Sequence, residues 1–159
     1  MYRTKQDFLA DWMVAAEGTI RVLESLTDDK LDQAIVEGHS TLGWLGWHLA
    51  TSPAFFAGQV GLNVTPSGGA DDIPAQASEI VTAYRNIFEN VKHEVEQSLT
   101  DEQMVESVDS FGKQIPRGAL LRLLIDHQTH HRGQMTVLLR QAGLPVPGVL
   151  GPTKEEQSF

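Results

Sequence analysis

The sequence predicts an all-α fold, a four-helix bundle with one long crossover. Three observations predict it. Four segments carry apolar residues at alternating steps of three and four, the spacing of one helical face. No segment shows the sustained alternation of a half-buried strand. Between the second and third segments lies the run Asn63-Val64-Thr65-Pro66-Ser67-Gly68-Gly69-Ala70-Asp71-Asp72-Ile73-Pro74, too long and too rich in turn formers for a tight connection. A connection of that length frees two consecutive helices from being antiparallel neighbours.

The first helix, roughly 4–26, is drawn by Phe8, Trp12, Ala15, Thr19, Val22 and Leu26. The second, 41–59, opens at Ser40 or Thr41, either of which can accept from a free backbone N–H of the first turn. Pro53 inside it either kinks the helix or ends it early. The third, 74–99, carries Ile80, Tyr84, Ile87, Val91 and Val95 behind Pro74, a residue suited to a first helical turn. The fourth, 116–142, opens at Pro116 and stops at Gly143, with Pro145 just beyond. The tail, 143–159, holds too many prolines and glycines for a helix and is expected to pack as an extended strap. Together these make one domain over residues 1–159. Ser25-Leu26-Thr27-Asp28 after the first helix repeats as Ser98-Leu99-Thr100-Asp101 after the third. Either this is a common helix stop, or the chain is duplicated. In the second case the two later members of each half, helices two and four, would face a shared site.

Composition narrows the function. Hydrophobic residues at 41% and charged residues at 21% fit a folded globular domain. Twelve Lys and Arg against 21 Asp and Glu give a net charge of −9, which repels phosphate backbones and anionic lipid. Nucleic acid and membrane are therefore excluded as expected partners. With no cysteine, disulfides, thiolate metal sites and a Cys nucleophile are excluded too. The opening run MYRTKQDFLADWM has no apolar signal-peptide core, so the expected location is the cytoplasm.

The histidines carry the chemistry. At ~100° per residue, Leu120, Leu124, His127, His131, Gln134 and Leu138 share an arc of about 80° on the fourth helix. His127 and His131 thus lie one turn apart in the middle of an apolar stripe, the spacing that lets two imidazoles reach one ion. On the second helix His48 points the same way as Trp44, Leu45, Ser52, Phe55 and Phe56. Any one of these histidines alone reads as a core residue satisfied by hydrogen bonds. Three inward imidazoles in one small core are costly unless they share a divalent cation, such as zinc, nickel or iron. His93 falls opposite its helix's apolar stripe and reads as solvated. His39 belongs to the loop before the second helix, where capping accounts for it. His130 sits at the stripe's edge as a surface residue, with a role near ligand or substrate as the alternative.

Their neighbours are read the same way. Gln134, one turn beyond His131, can hydrogen-bond a ligand imidazole or a substrate, or simply pack between helices. Arg132 points ~140° from His127 and is expected in a surface or interhelical ion pair. Gly133 suggests a close helix approach. Trp44, Phe55 and Phe56 read as core packing rather than as a substrate wall. Leu121, Ile125 and Leu139 lie some 120–160° from His127, on a face expected to be wet. That second apolar face predicts a homodimer.

The run Asp126-His127-Gln128-Thr129-His130-His131-Arg132-Gly133-Gln134, with Leu42-Gly43-Trp44-Leu45-Gly46-Trp47-His48-Leu49, resembles the DinB/YfiT-like superfamily of bacterial metalloproteins. The shared pattern is an inward His on the second helix and H-x-x-x-H-R-G-Q on the fourth, over nearly the whole chain. The resemblance implies an up-down-down-up bundle, three His ligands to a divalent metal at His48, His127 and His131, and frequent homodimers. It also implies a reaction class, in which a small thiol such as bacillithiol or mycothiol is transferred to an electrophile or used to isomerise it. Three His ligands leave a tetrahedral ion one open position. A thiol-S-transferase acting on a small-molecule substrate, with a low-molecular-weight thiol as cosubstrate, is the leading expectation. The alternatives are a metal-dependent hydrolase that activates water, and a non-enzymatic metal-binding stress-response protein.

Overall fold

The computed structural model describes residues 1–156, so residues 157–159 of the expected tail lie outside the described residues. Four long helices form the bundle: α1 (Lys5–Glu24), α2 (Leu42–Gln59), α3 (Ala77–Ser98) and α5 (Arg117–Ala142). A short helix α4 (Asp101–Val105) and a hairpin of β1 (Ser107–Ser110) and β2 (Lys113–Pro116) stand between α3 and α5.

Side-chain partners fix the helix directions. Trp12 Nε1 on α1 donates to the Phe88 carbonyl on α3 (3.2 Å), and Lys5 reaches the Glu96 carbonyl, so these two helices are antiparallel. The Tyr2 N–H bonds the Gly118 carbonyl and Arg132 Nη1 bonds the Ala15 carbonyl, so α1 runs parallel to α5. Gly46 abuts Ile80 and the Asn63 N–H faces Glu94, so α2 and α3 are parallel. Arg117 at the start of α5 donates to the Val60 carbonyl at the end of α2, making that pair antiparallel. The order is up-down-down-up. The crossover makes the parallel α2–α3 pair possible, and it is pinned by Trp47 Nε1 to the Gly69 carbonyl (2.8 Å) and by Ser67 Oγ to the Ala50 and Ala83 carbonyls.

Capping sets the boundaries. Thr41, not Ser40, accepts from the Trp44 N–H, and His39 plays no part in the cap. Helix α2 runs through Pro53 without stopping. Helix α3 starts at Ala77, three residues later than Pro74 suggests. Each repeated Ser-Leu-Thr-Asp ends one helix and opens the next short turn. Thr27 precedes a 3-10 turn at Asp28–Lys30, and Thr100 makes a reciprocal cap with Gln103 on α4. The buried Leu26 and Leu99 anchor the two copies.

The hairpin went unread in the sequence. Its strands are four residues long, and its two-residue loop is Phe111-Gly112 with φ of 53° and 71°. Positive φ at both loop positions is the turn that matches strand twist, and it favours Asn-Gly. A Phe in left-handed backbone costs on the order of 1 kcal/mol. Ser110 Oγ against Gln59 Oε1 (2.6 Å) ties the hairpin to the end of α2.

The core is a continuous cluster centred on Phe8, Trp12, Leu49, Ile80, Tyr84, Leu120 and Leu124. Burial of each such side chain contributes roughly 1.5–3 kcal/mol. Leu121, Ile125 and Leu139, expected on a wet face, are buried within this same chain. Helix α5 packs against both α1 and α2, with α4 alongside, so these three side chains form no free apolar face. The homodimer loses that support. Arg132 is buried rather than at the surface. Its guanidinium bonds the Ala15 carbonyl (2.7 Å) and Thr19 Oγ1 (3.3 Å) instead of forming an ion pair. A Cβ on Gly133 would meet open space, so close approach does not explain that glycine within the chain. Gly118, on the same helix, is tight: a Cβ there would collide with the Tyr2 carbonyl oxygen.

Candidate metal centre

Helices α2 and α5 cross the bundle side by side and bring His48, His127 and His131 together. His48 Nε2 lies 3.0 Å from His127 Nε2, which lies 3.2 Å from His131 Nε2. Each of the three is partly buried.

The surroundings hold each ring. Trp44, one turn before His48 on α2, stacks on its imidazole with centroids 4.8 Å apart and planes 10° from parallel. Phe56 packs on His127 at 5.1 Å. Gln134, one turn beyond His131, accepts from His131 Nδ1 at 2.8 Å. That bond places the His131 proton on Nδ1 and turns the Nε2 lone pair toward the other two rings. His130 is exposed, its ring edge-on to His131 at 4.9 Å, and His93 and His39 are exposed and contribute no atom to the cluster.

A second layer ties these helices together. Pro53 has no N–H, so the Leu49 carbonyl one turn earlier loses its helical donor. Gln128, the neighbour of His127, supplies one through Nε2 at 3.4 Å. Its Oε1 accepts from the Tyr84 hydroxyl of α3 at 2.9 Å. Both Gln128 and Tyr84 are fully buried. The sequence offered one signal for this link, since a proline inside a helix announces a free carbonyl four residues back.

The electrostatics favour neutral imidazole. Burial lowers the pKa of His127 to about 4, helped by the neighbouring charges that His131, His48 and His130 would carry. Burial also lowers His48, reinforced by His131. His131 is lowered by burial, against the opposing pull of its bond to Gln134. At neutral pH three uncharged rings therefore present ring nitrogens to one point, the form in which histidine binds metals.

The residues fit an ion. Three Nε2 atoms at these distances cannot all satisfy one another, since a single shared proton bridges only two of them. His127 Nδ1 is buried without a partner and gives no relief on the ring's other side. At metal–nitrogen distances of about 2.0–2.1 Å, neighbouring donors stand roughly 3.0 Å apart at a right angle and 3.4 Å at the tetrahedral angle. The observed 3.0 and 3.2 Å lie in that span.

A model of the DinB family matches residues 1–158. The chain belongs to that family. YrdA of Bacillus subtilis (strain 168) is 38% identical over 156 residues, which cover 98% of this chain and 93% of that protein. The crystal structure of a DinB-like protein from Bacillus cereus ATCC 10987 superposes with a TM-score of 0.90 at 40% identity, covering 94% of this chain and 99% of that one. YfiT from Bacillus subtilis, described as a probable metal-dependent hydrolase with an unusual four-helix bundle topology, matches at a TM-score of 0.66 and 21% identity over 87% of each chain. That last likeness carries the fold. Within this DinB bundle, the three histidines form a cluster able to hold a metal.

The cluster opens onto a cleft of about 750 Å³. Its walls come from α2, the crossover, the hairpin turn and α5, and they include His48 and His127. Phe55, expected in the core, is 53% exposed and forms part of this wall with Phe56 and Phe111. The helical wheel gave its direction correctly. It could not show that the crossover leaves a space there. None of the described helices is long and apolar enough to cross a membrane.

Proposed function

We propose that this protein is a metal-dependent hydrolase, its cation held by His48, His127 and His131 and its substrate lying in the adjoining cleft. The observation that carries the reading is the convergence of three neutral imidazoles at 3.0 and 3.2 Å, two of which, His48 and His127, line an open cavity. The cluster draws no carboxylate from the described residues, which favours an open position over a metal plugged by the protein's own side chain. A divalent cation so held supplies a Lewis acid and lowers the pKa of water toward neutrality.

The chain's residues do the rest. Gln134 fixes the His131 tautomer so that Nε2 keeps its lone pair. Trp44 and Phe56 restrain the rings of His48 and His127 and exclude water from their faces. Thiol transfer, the leading expectation from the resemblance, is less well supported. No Lys or Arg among the described residues lines the cleft to receive the carboxylates of a small anionic thiol. YfiT's description as a probable metal-dependent hydrolase agrees with the reading we adopt.

The test is turnover of a panel of neutral esters and amides by zinc-, nickel- and iron-loaded protein, with and without added small thiols. Thiol-independent hydrolysis that disappears in His127→Ala is the expected result. Turnover that requires a thiol would overturn hydrolysis in favour of the transferase.

A further inference from the structure

We infer that the cleft beside the histidines is a recognition pocket for an uncharged apolar group, aryl above all, and that Phe111 on the hairpin turn determines this specificity. The inference rests on the cleft being the substrate site of the proposed hydrolase, and it names the class of substrate.

Three observations carry it. The first is the lining. Phe55, Phe56, Phe111, Val64 and Leu123 dominate the wall, and no Asp, Glu, Lys or Arg among the described residues contributes to it. In a chain of net charge −9, a wall without acid or base is a selected neighbourhood rather than an average one. A charged group entering it would lose its hydration with nothing in return.

The second is the backbone at Phe111. The turn demands positive φ at both loop positions, and Phe111 meets that demand at 53° against its own preference. Asn would sit there more easily. What Phe offers is its ring, which packs on Phe55 with centroids 5.9 Å apart, while Phe55 meets Phe56 edge-on at 5.6 Å. Those three rings form a continuous aromatic wall leading to His127, on which Phe56 rests. Phe111 is 57% exposed, so the fold gains little from burying it. Strain without burial points to a ligand.

The third is where polarity sits. The polar side chains of the lining are His48, Thr51, Ser52 and His127, from the stretches of α2 and α5 that carry the histidines. Polar groups are thus gathered near the histidines, and the aromatic wall beyond them is apolar. A substrate matched to this gradient has its polar, reacting end at the histidines and its apolar group against the wall that Phe55 and Phe111 form.

The experiment uses the neutral fluorescent dye N-phenyl-1-naphthylamine, titrated into the full chain with chelator present and again with zinc. Wild type is expected to bind it in both conditions. Phe111→Asn should weaken binding about fivefold or more without lowering the melting temperature, because Asn suits the turn. Phe55→Ala combined with Phe111→Asn should abolish it. Benzamide should displace the dye, and glutarate should not. Dye affinity unchanged in Phe111→Asn, or displacement by glutarate, would overturn the inference. Because the dye needs no ion, the two readings fail separately. Phe111-dependent binding in a chain that takes up no metal would sink the hydrolase alone. Stoichiometric zinc with dye binding indifferent to Phe111 would sink the pocket alone.

Discussion

Gln128 donates to the one carbonyl that Pro53 strips of its helical partner. The helix that supplies His48 is thereby stitched, at the level of the histidine cluster, to the helix that supplies His127 and His131. The Tyr84 hydroxyl completes the stitch from α3.

Replacing Gln128 with Leu leaves the Tyr84 hydroxyl and the Leu49 carbonyl unpaired in the core, at a cost of about 2 kcal/mol. Adding Pro53→Ala restores an N–H to Leu49. The double variant should therefore lose less stability than the sum of the two single changes. Urea denaturation of all four proteins measures the coupling, and strict additivity would show that the proline and the glutamine act independently.

Removal of His127 or His131 should abolish stoichiometric metal while leaving helical content near wild type. Elemental analysis and circular dichroism read the two quantities separately. Gln134→Leu keeps all three rings but frees the tautomer of His131, and should weaken metal binding by roughly 10–100-fold. Full metal content in His127→Ala would refute the ligand assignment.

Acidification should destabilise the metal-free protein. An unfolded chain titrates histidine near 6.5, whereas burial holds His127 to about 4 in the folded chain. Between those values the unfolded state binds more protons. The contribution is complete above about pH 6.5 and is lost progressively as the pH falls toward 4. His48 and His131, both lowered, act with the same sign. Denaturation midpoints at pH 7 and pH 5, measured with chelator present, are expected to fall. A midpoint that rises would show that the rings are not held neutral.

Two glycines of α5 should respond in opposite directions. A Cβ at Gly118 collides with the Tyr2 backbone, so Gly118→Ala should cost about 2 kcal/mol or more or displace the N-terminal segment. Gly133 has open space around it, and Gly133→Ala should raise stability by up to about 1 kcal/mol through helix propensity. Thermal melts decide both. A Gly133→Ala chain that is less stable would point to a partner seated on that face.

The sequence made the bundle and the histidines legible because both rest on helical periodicity. Direction around a helix axis follows from residue spacing, and His48, His127 and His131 lie where spacing sends them. What lies opposite each face does not follow from spacing. Arg132 was correctly aimed away from His127, but only the packing of α1 reveals that Ala15 and Thr19 receive it. Leu121, Ile125 and Leu139 suggest a dimer because spacing gives their angle from His127 but not which of α1, α2 and α4 covers that angle. Phe111 left no trace in periodicity. Its turn lacks the usual dipeptide, and its strands are too short to alternate.

The His48 and His127 imidazoles are 79 residues apart along the chain and 3.0 Å apart in space. A ribosome-bound fragment ending before α5 would hold one of the three clustered imidazoles, so the cluster forms only once the C-terminal half docks onto the N-terminal one. The same separation means that a break in the crossover would sort the donors unequally, one to the first piece and two to the second. Neither piece could rebuild the centre without the other.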